Sequence, residues 1–379
     1  MIYWQKDMGA LMTKDSSSNW WIFPGFTVET VLSGLDLPAN IAFVPKPKSG
    51  PKDPLLYINE LYGQVKVMTN DGSVFAYAAG LLNYDPDYKF PGTGESGLTG
   101  LCVEPSSGDL FLSMLYTDKD KFKAKVIRTK SNDGLSMNSS SVILEDVPSV
   151  HAAHQVQAVT VGFDRKLYVN FGDGMIDPNT AQDDNDLRGK ILRLELDGSI
   201  PDDNPKSGSP VFAKGFRNPF GAVWRRSDRS LYITDNGPHV DDRVARVEAG
   251  VNYGWPKTMR QNSLMWWHFC QAPTALDFMQ DEQFPAEYKN ELFVALFGSS
   301  YVMGRPGSKG KKIIKMRLSA DCNGLKSYDE FATYIGEGPA GPCGLAFGPD
   351  GLYFTDLHGE FDGGKQSKGH LFKIIPVVS

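Results

Sequence analysis

Hydrophobic and polar positions along the chain fall into a phrase that recurs six times: a small apolar run, a short turn, then Leu-Tyr/Phe-aliphatic with a short, mostly polar ending. It begins at Leu56 (LYINE), Leu110 (LFLSM), Leu167 (LYVNF), Leu231 (LYITD), Leu292 (LFVAL) and Leu352 (LYFTD), at intervals of 54, 57, 64, 61 and 60 residues. Intervals that regular mean one supersecondary unit used repeatedly. Before four of the copies stands a second matching run, GLTGLCVEP, QAVTVGFD, FGAVWRRSD or CGLAFGPD, each ending in turn residues. Two alternating runs joined by such a turn predict a β-hairpin.

Each interval leaves room for two more strands, such as Lys190 to Leu196 or Gly310 to Leu318. Four antiparallel strands per unit, repeated radially, predict an all-β, six-bladed β-propeller. It accounts for residues 1–379 as a single domain, with 1–25 as an N-terminal extension and 26–379 as blades. A β-sandwich is the competing reading, but one sandwich rarely needs strands spread this far. The sixth hairpin ends near His358 and leaves one further strand, Gly369 to Val377. Closure therefore needs a strand from residues 26–33 (FTVETVLS), so that both termini share a blade and no edge is left open.

Composition narrows the function classes. With 39 Gly, 24 Pro and 41% hydrophobic residues the chain is turn-rich and has enough apolar material for a large core. A net charge of -6 without a basic run argues against nucleic acid as a partner. The absence of any apolar stretch of about 18 residues argues against a membrane span. The start, MIYWQKDMGALMTKDSSSNWW, lacks the apolar core of a signal peptide, which leaves a cytoplasmic chain or one beginning at a mature N-terminus. Cys102, Cys270, Cys322 and Cys343 have no C-x-x-C spacing, against a thiolate zinc site. Cys102 belongs in a strand, and one disulfide among the others is open in an oxidising compartment.

In a hairpin, the start of the first strand and the end of the second lie at one edge. Around a propeller these edges ring one mouth of the central channel. That places Asn40, Glu60, Glu95, His154, Asp173, Arg217, Asn218, Asn236, His239, Phe297, Ser299, Cys343, Asp356 and His358 on a common rim. A concave mouth of convergent polar groups is the expected site. Imidazoles there serve as a general base or as metal ligands, and the spacing does not separate the two.

The segments Lys214-Gly-Phe-Arg-Asn-Pro-Phe-Gly221, Tyr232-Ile-Thr-Asp-Asn-Gly-Pro238, Asp241-Asp242 and Asn252-Tyr-Gly-Trp-Pro256 carry a resemblance. So do Gly94-Glu-Ser-Gly-Leu-Thr-Gly100, Gly172-Asp173, Leu187-Arg-Gly-Lys-Ile-Leu-Arg193 and Pro285-Ala-Glu-Tyr. Together, from about residue 25 onward, they resemble the glucose/sorbosone dehydrogenase family, soluble quinoprotein sugar dehydrogenases that use pyrroloquinoline quinone (PQQ) with calcium. The resemblance implies a sugar or aldehyde substrate, a separate electron acceptor and a periplasmic or secreted location. It implies that His154 takes the proton of the sugar C1 hydroxyl while hydride passes to the quinone. Arg217 and Asn218 would contact that quinone, with Asn236 and Glu95 also in the cofactor pocket. The carbonyls of Gly237 and Pro238 would bind calcium.

The departures point the other way. Gln157-Ala158, Phe297 and Gly341-Pro-Cys343 stand where family members commonly carry cations for the carboxylates of the cofactor. Asp242-Arg243 replaces the usual Asp-Glu of the calcium region. Either Arg305, Lys309 or Lys365 replaces the lost cations, or the quinone has been abandoned. In the second case the propeller is a metal-dependent hydrolase or lyase, with His154, His239 and His358 on one ion and His268 or Asp173 completing the shell, or it is a binding module. Trp20-Trp21 and Trp266-Trp267 are either sugar platforms or blade packing. Asp183-Asp-Asn-Asp186 is expected to be a solvated turn.

Overall fold

The structure is a computed structural model that describes residues 19–85, 95–150, 154–238, 240–298, 310–336, 340–359, 361–362, 365–366 and 368–377. Six antiparallel sheets stand around one axis as a six-bladed β-propeller. In chain order the blades run Pro38–Ala78, Leu98–Pro148, Val156–Lys214, Pro219–Trp267, Pro273–Tyr334 and Pro342–Pro376. The first strand of each blade packs beside the first strand of the next, which builds the channel wall.

Ring closure follows the expectation. Phe26–Leu35 pairs with Gly369–Pro376 and completes the sixth blade from the N-terminal side. The expected N-terminal extension also joins a sheet: Trp20–Ile22 adds a fifth strand to the fifth blade against Ala332–Tyr334. Hydrophobicity drives this addition. Trp20 is 1% exposed and packs edge-on against Phe354 and Phe372 and tilted against Tyr334, bridging the fifth and sixth blades. Trp20 is thus blade packing, not a sugar platform.

The recurring phrase owes its letters to two jobs. Its aromatic residue, Tyr57, Phe111, Tyr168, Tyr232, Phe293 or Tyr353, is buried in every copy. Three of the tyrosines also donate their hydroxyl to an aspartate of the preceding turn, Asp164, Asp228 and Asp350, at 2.9, 2.8 and 2.7 Å. The fourth position of the phrase faces the channel. There Asn59 Nδ2 donates to Leu98 O, Ser113 Oγ to Gln157 O, and Asn170 Nδ2 to Gly221 O, each tying one blade to the next. These bonds satisfy carbonyls that a purely apolar channel would strand.

All four cysteines are free thiols, and burial pushes the Cys102 thiol up to about 12. The aspartates at 183–186 form a surface turn in which Asp184 pairs with Lys214 and Asp186 with Arg188. Among the described residues no helix is long and apolar enough to cross a membrane.

Candidate active site

The channel mouth is built from the segments entering the first strands and leaving the second strands of the blades. In the third blade these are clamped together: Gly172 N donates to Gln155 O and Gly174 N to His154 O, both at 3.0 Å. A Cβ on Gly172 would stand 2.4 Å from His154 O, so only glycine admits this approach. His154 is held with φ 56° and is 7% exposed. Its Nδ1 lies 2.6 Å from Asp173 Oδ1, while Asp173 also accepts from Met175 N at 3.0 Å and Trp255 Nε1 at 2.9 Å. Burial pushes the Asp173 carboxyl upward, but the bonds from His154, Met175 and Trp255 outweigh it and hold the group below the usual range. An imidazole whose Nδ1 is engaged by a fixed carboxylate presents Nε2 as its free base.

Arg217 and Asn218 come from the loop before the fourth blade. Asp173 N donates to Arg217 O at 2.8 Å, which joins this loop to the histidine clamp. Arg217 Nη1 donates to Asn236 O at 3.0 Å and Gly237 O at 2.7 Å, and the guanidinium lies over the Trp255 ring, 5.6 Å from its centroid. Asp235 anchors the loop by accepting from Asn218 N at 2.7 Å and Arg217 N at 3.2 Å. Asn218 Nδ2 donates to both carboxylate oxygens of Glu95, 3.1 and 2.9 Å away. Gln157 Nε2 adds bonds to Glu95 Oε2 and Asn218 Oδ1, and His154 N lies 3.3 Å from Glu95 Oε2. The carboxylate is therefore set in amide donors beside the imidazole.

The structure brings Glu95, His154, Asp173, Arg217, Asn218, Asn236 and Gly237 into this cluster, and leaves others apart. Asn40 bonds the next peptide N–H, and Glu60 pairs with Lys66 and accepts from Asp36 N, so both are local braces. Asp356 is a loop anchor that accepts from Gly341 N and His358 N. Pro238 is exposed. His239, Ser299, Arg305, Lys309 and the side chain of Lys365 lie outside the described residues. Among the described residues no group of three or more His, Cys, Asp or Glu side chains is arranged to hold a metal ion. Trp267 is buried in the core, and Trp266 is 39% exposed with the Arg260 guanidinium 3.9 Å above its ring.

Trp255 and Asp242 are the site residues that sequence reasoning left without a role. Trp255 stood in the quoted Asn252-Tyr-Gly-Trp-Pro256 segment, which is the signal that marks it. Asp242 Oδ1 accepts from Gly237 N at 2.7 Å, and its Oδ2 accepts from Gln271 N and Ala272 N at 2.6 and 2.8 Å. It stitches the fourth blade to the entry of the fifth.

A sequence profile of the Glucose / Sorbosone dehydrogenase family matches residues 35–321. The chain belongs to that family. It is similar to quinoprotein glucose dehydrogenase B of Acinetobacter calcoaceticus, with 28% identity over 265 residues, 61% of this chain and 52% of that one. The chain thus spans about half the length of that relative. It is also similar to aldose sugar dehydrogenase YliI of Escherichia coli, with 25% identity over 317 residues, 75% of this chain and 78% of that one. The PQQ-bound aldose sugar dehydrogenase of Streptomyces coelicolor shares the fold, with a TM-score of 0.69, 20% identity, and coverage of 93% of this chain and 99% of that one.

Proposed function

We propose that this member of the family oxidises a sugar at its C1 hydroxyl, with His154 as the general base. The observation that carries the reading is the His154–Asp173 pair in the channel mouth, 2.6 Å apart and braced by Trp255. Asp173 fixes the tautomer and stabilises the imidazolium formed when Nε2 takes the hydroxyl proton. Glu95, held by Asn218 and Gln157, accepts a neighbouring sugar hydroxyl, and the Arg217 guanidinium offsets negative charge developing on the hydride acceptor.

The family resemblance supplies PQQ and calcium for the acceptor, and the described residues do not fit them. Of the two residues whose carbonyls were expected to hold calcium, Gly237 has its oxygen engaged by Arg217 Nη1, and Pro238 is exposed. Among the described residues of the cluster, that leaves Arg217 as the guanidinium for a tricarboxylate. The neighbouring carboxylates of Glu95, Asp173 and Asp242 oppose such a ligand, and Phe297 and Cys343, buried in an apolar cluster, supply no cation for it.

The test is dye reduction with a panel of aldoses by wild type and His154→Ala, with and without added PQQ and calcium. Sugar-dependent reduction that falls by about two to four orders of magnitude in the variant is expected. Undiminished oxidation by a folded His154→Ala protein refutes the assignment.

A further inference from the structure

Lys190 is a buried ammonium close behind the His154–Asp173 pair, and the chemistry read above does not use it. It opens the third strand of the third blade, Lys190–Leu194, and is 0% exposed. Its Nζ donates to Thr180 O at 2.7 Å and to Arg188 O at 2.8 Å. Burial pushes the ammonium down to about 8; the Asp186 carboxylate opposes that fall, Lys214 adds to it, and Asp184 and Asp183 oppose it. The side chain is therefore still charged at neutral pH. A cation in the interior is costly unless it satisfies buried acceptors, so its part in the structure lies with those two carbonyls.

Thr180 belongs to the short turn Pro178–Gln182, which sits flush on the glycine before the lysine. A Cβ on Gly189 would stand 2.4 Å from Ala181 Cβ. Gly215 N donates to both Ala181 O and Gly189 O at 3.1 Å, which joins the turn to the loop of Arg217. From the turn, two contacts run to the base pair. The weaker is Thr180 Oγ1, 3.4 Å from Asp173 O. The stronger passes through Gln182. Its Nε2 donates to Trp255 O at 2.5 Å, and its amide exchanges bonds of 3.1 and 2.7 Å with that of Asn252. The Trp255 indole then reaches Asp173 Oδ2 at 2.9 Å.

We propose that Lys190 is a positioning residue for sugar oxidation: its ammonium pins the Pro178–Gln182 turn, and Gln182 of that turn holds Trp255 on Asp173. The inference rests on His154 acting as the base, as read above. Without the ammonium, Thr180 O and Arg188 O lose their donor in the interior, and the turn relaxes towards water. Gln182 then withdraws from Trp255, and the carboxylate that aims His154 loses its indole brace. A shift of about 1 Å in an oriented group costs about a hundredfold in rate.

The first measurement needs no sugar. In protein isotope-labelled at the tryptophan nitrogens, the Trp255 indole resonance is the one lost in Trp255→Phe, and its exchange with solvent is followed by NMR. Exchange should quicken by about tenfold or more in Lys190→Met. In the same variant kcat should fall by about tenfold or more with KM within about twofold, and the acidic limb of the kcat profile should move as it does in Trp255→Phe. Lys190→Gln keeps a neutral donor one atom shorter, and should shift both quantities in the same direction by about threefold. Lys190→Met combined with Trp255→Phe should be no slower than the slower single variant, because both break one route. Circular dichroism establishes folding, and Lys190→Gln takes the place of Lys190→Met if the latter does not fold. Unchanged indole exchange in the folded variant overturns the inference while keeping the reading of sugar oxidation, as does a double variant whose loss is the product of the singles. No oxidation of any aldose by wild type overturns both.

Discussion

Arg243 is the side chain on which the candidate site depends most without touching the channel. It is 0% exposed, as is its partner Asp235, with Nη2 2.7 Å and Nε 3.0 Å from Asp235 Oδ2. Its remaining N–H groups reach Tyr253 O, Met259 O, Gln261 O and Gly215 O at 2.7, 2.9, 3.2 and 3.1 Å. Arg243→Met keeps much of the volume but leaves a buried carboxylate unpaired and four carbonyls without this donor. Breaking a buried pair on one side costs about 3–5 kcal/mol. Asp235 also holds Arg217 N and Asn218 N, so the loss reaches the mouth. Denaturant unfolding followed by fluorescence is the assay, with a fall in midpoint expected at an unchanged slope. Asp235→Asn combined with Arg243→Met removes the stranded charge, and a double-mutant cycle should show it recovering part of the loss. A single variant within about 1 kcal/mol of wild type, or a double variant costing the full sum of the singles, refutes the reasoning.

Gly172→Ala forces a Cβ to within 2.4 Å of His154 O, so the histidine segment must shift; activity should fall by more than tenfold, about the effect of misplacing a base, measured as kcat. Asp173 has a depressed folded pKa, so its contribution to stability is present above its unfolded pKa of about 3.9 and is lost as pH falls through the folded value. The gap in unfolding midpoint between wild type and Asp173→Asn should therefore narrow on acidification below about pH 4, and a constant gap contradicts this. Trp255→Phe removes the Nε1 donor to Asp173, and should lower kcat and move the acidic limb of its pH profile with little change in KM. Because Arg217 Nη1 already engages the Gly237 carbonyl, dialysis against a chelator should leave the unfolding midpoint unchanged, and a fall reversed by calcium would show otherwise.

The propeller was legible because its signal is periodic. Each blade repeats an apolar-aromatic strand whose tyrosine, in three cases, also bonds its own turn, so local chemistry and global packing demand the same letters. The convergence of His154, Asp173, Arg217 and Asn218 was legible for a geometric reason: strand ends of one polarity meet at one mouth. Trp255 was not, because it reaches Asp173 from a connection 82 residues away. Neither was the bond from Asn218 to Glu95, across 123 residues. Arg243 sits in Asp242–Val247, where a charged residue at an alternate position reads as solvent-facing. Its burial depends on carbonyls of the following loop curling over it, which no period encodes. Trp20–Ile22 was misread as an extension because three residues are too few to show alternation.

Arg217 and Arg243 share a geometry. Each lays a planar guanidinium on backbone carbonyls of a connection in the fourth blade, Asn236 and Gly237 before Asp242–Val247 for one and Tyr253, Met259 and Gln261 after it for the other. A divalent ion could gather such oxygens, but it would need further anionic ligands and would leave with a chelator. A guanidinium brings fixed charge and directional donors, and packs against rings, as Arg243 does beside the stacked pair Phe216 and Tyr253, 5.6 and 5.7 Å from their centroids. Positive charge at the mouth is thereby built into the chain and set on the side of His154. Arg243 holds Asp235, and Asp235 in turn holds Arg217 N and Asn218 N, so the buried cation fixes the loop that stands beside the His154–Asp173 pair.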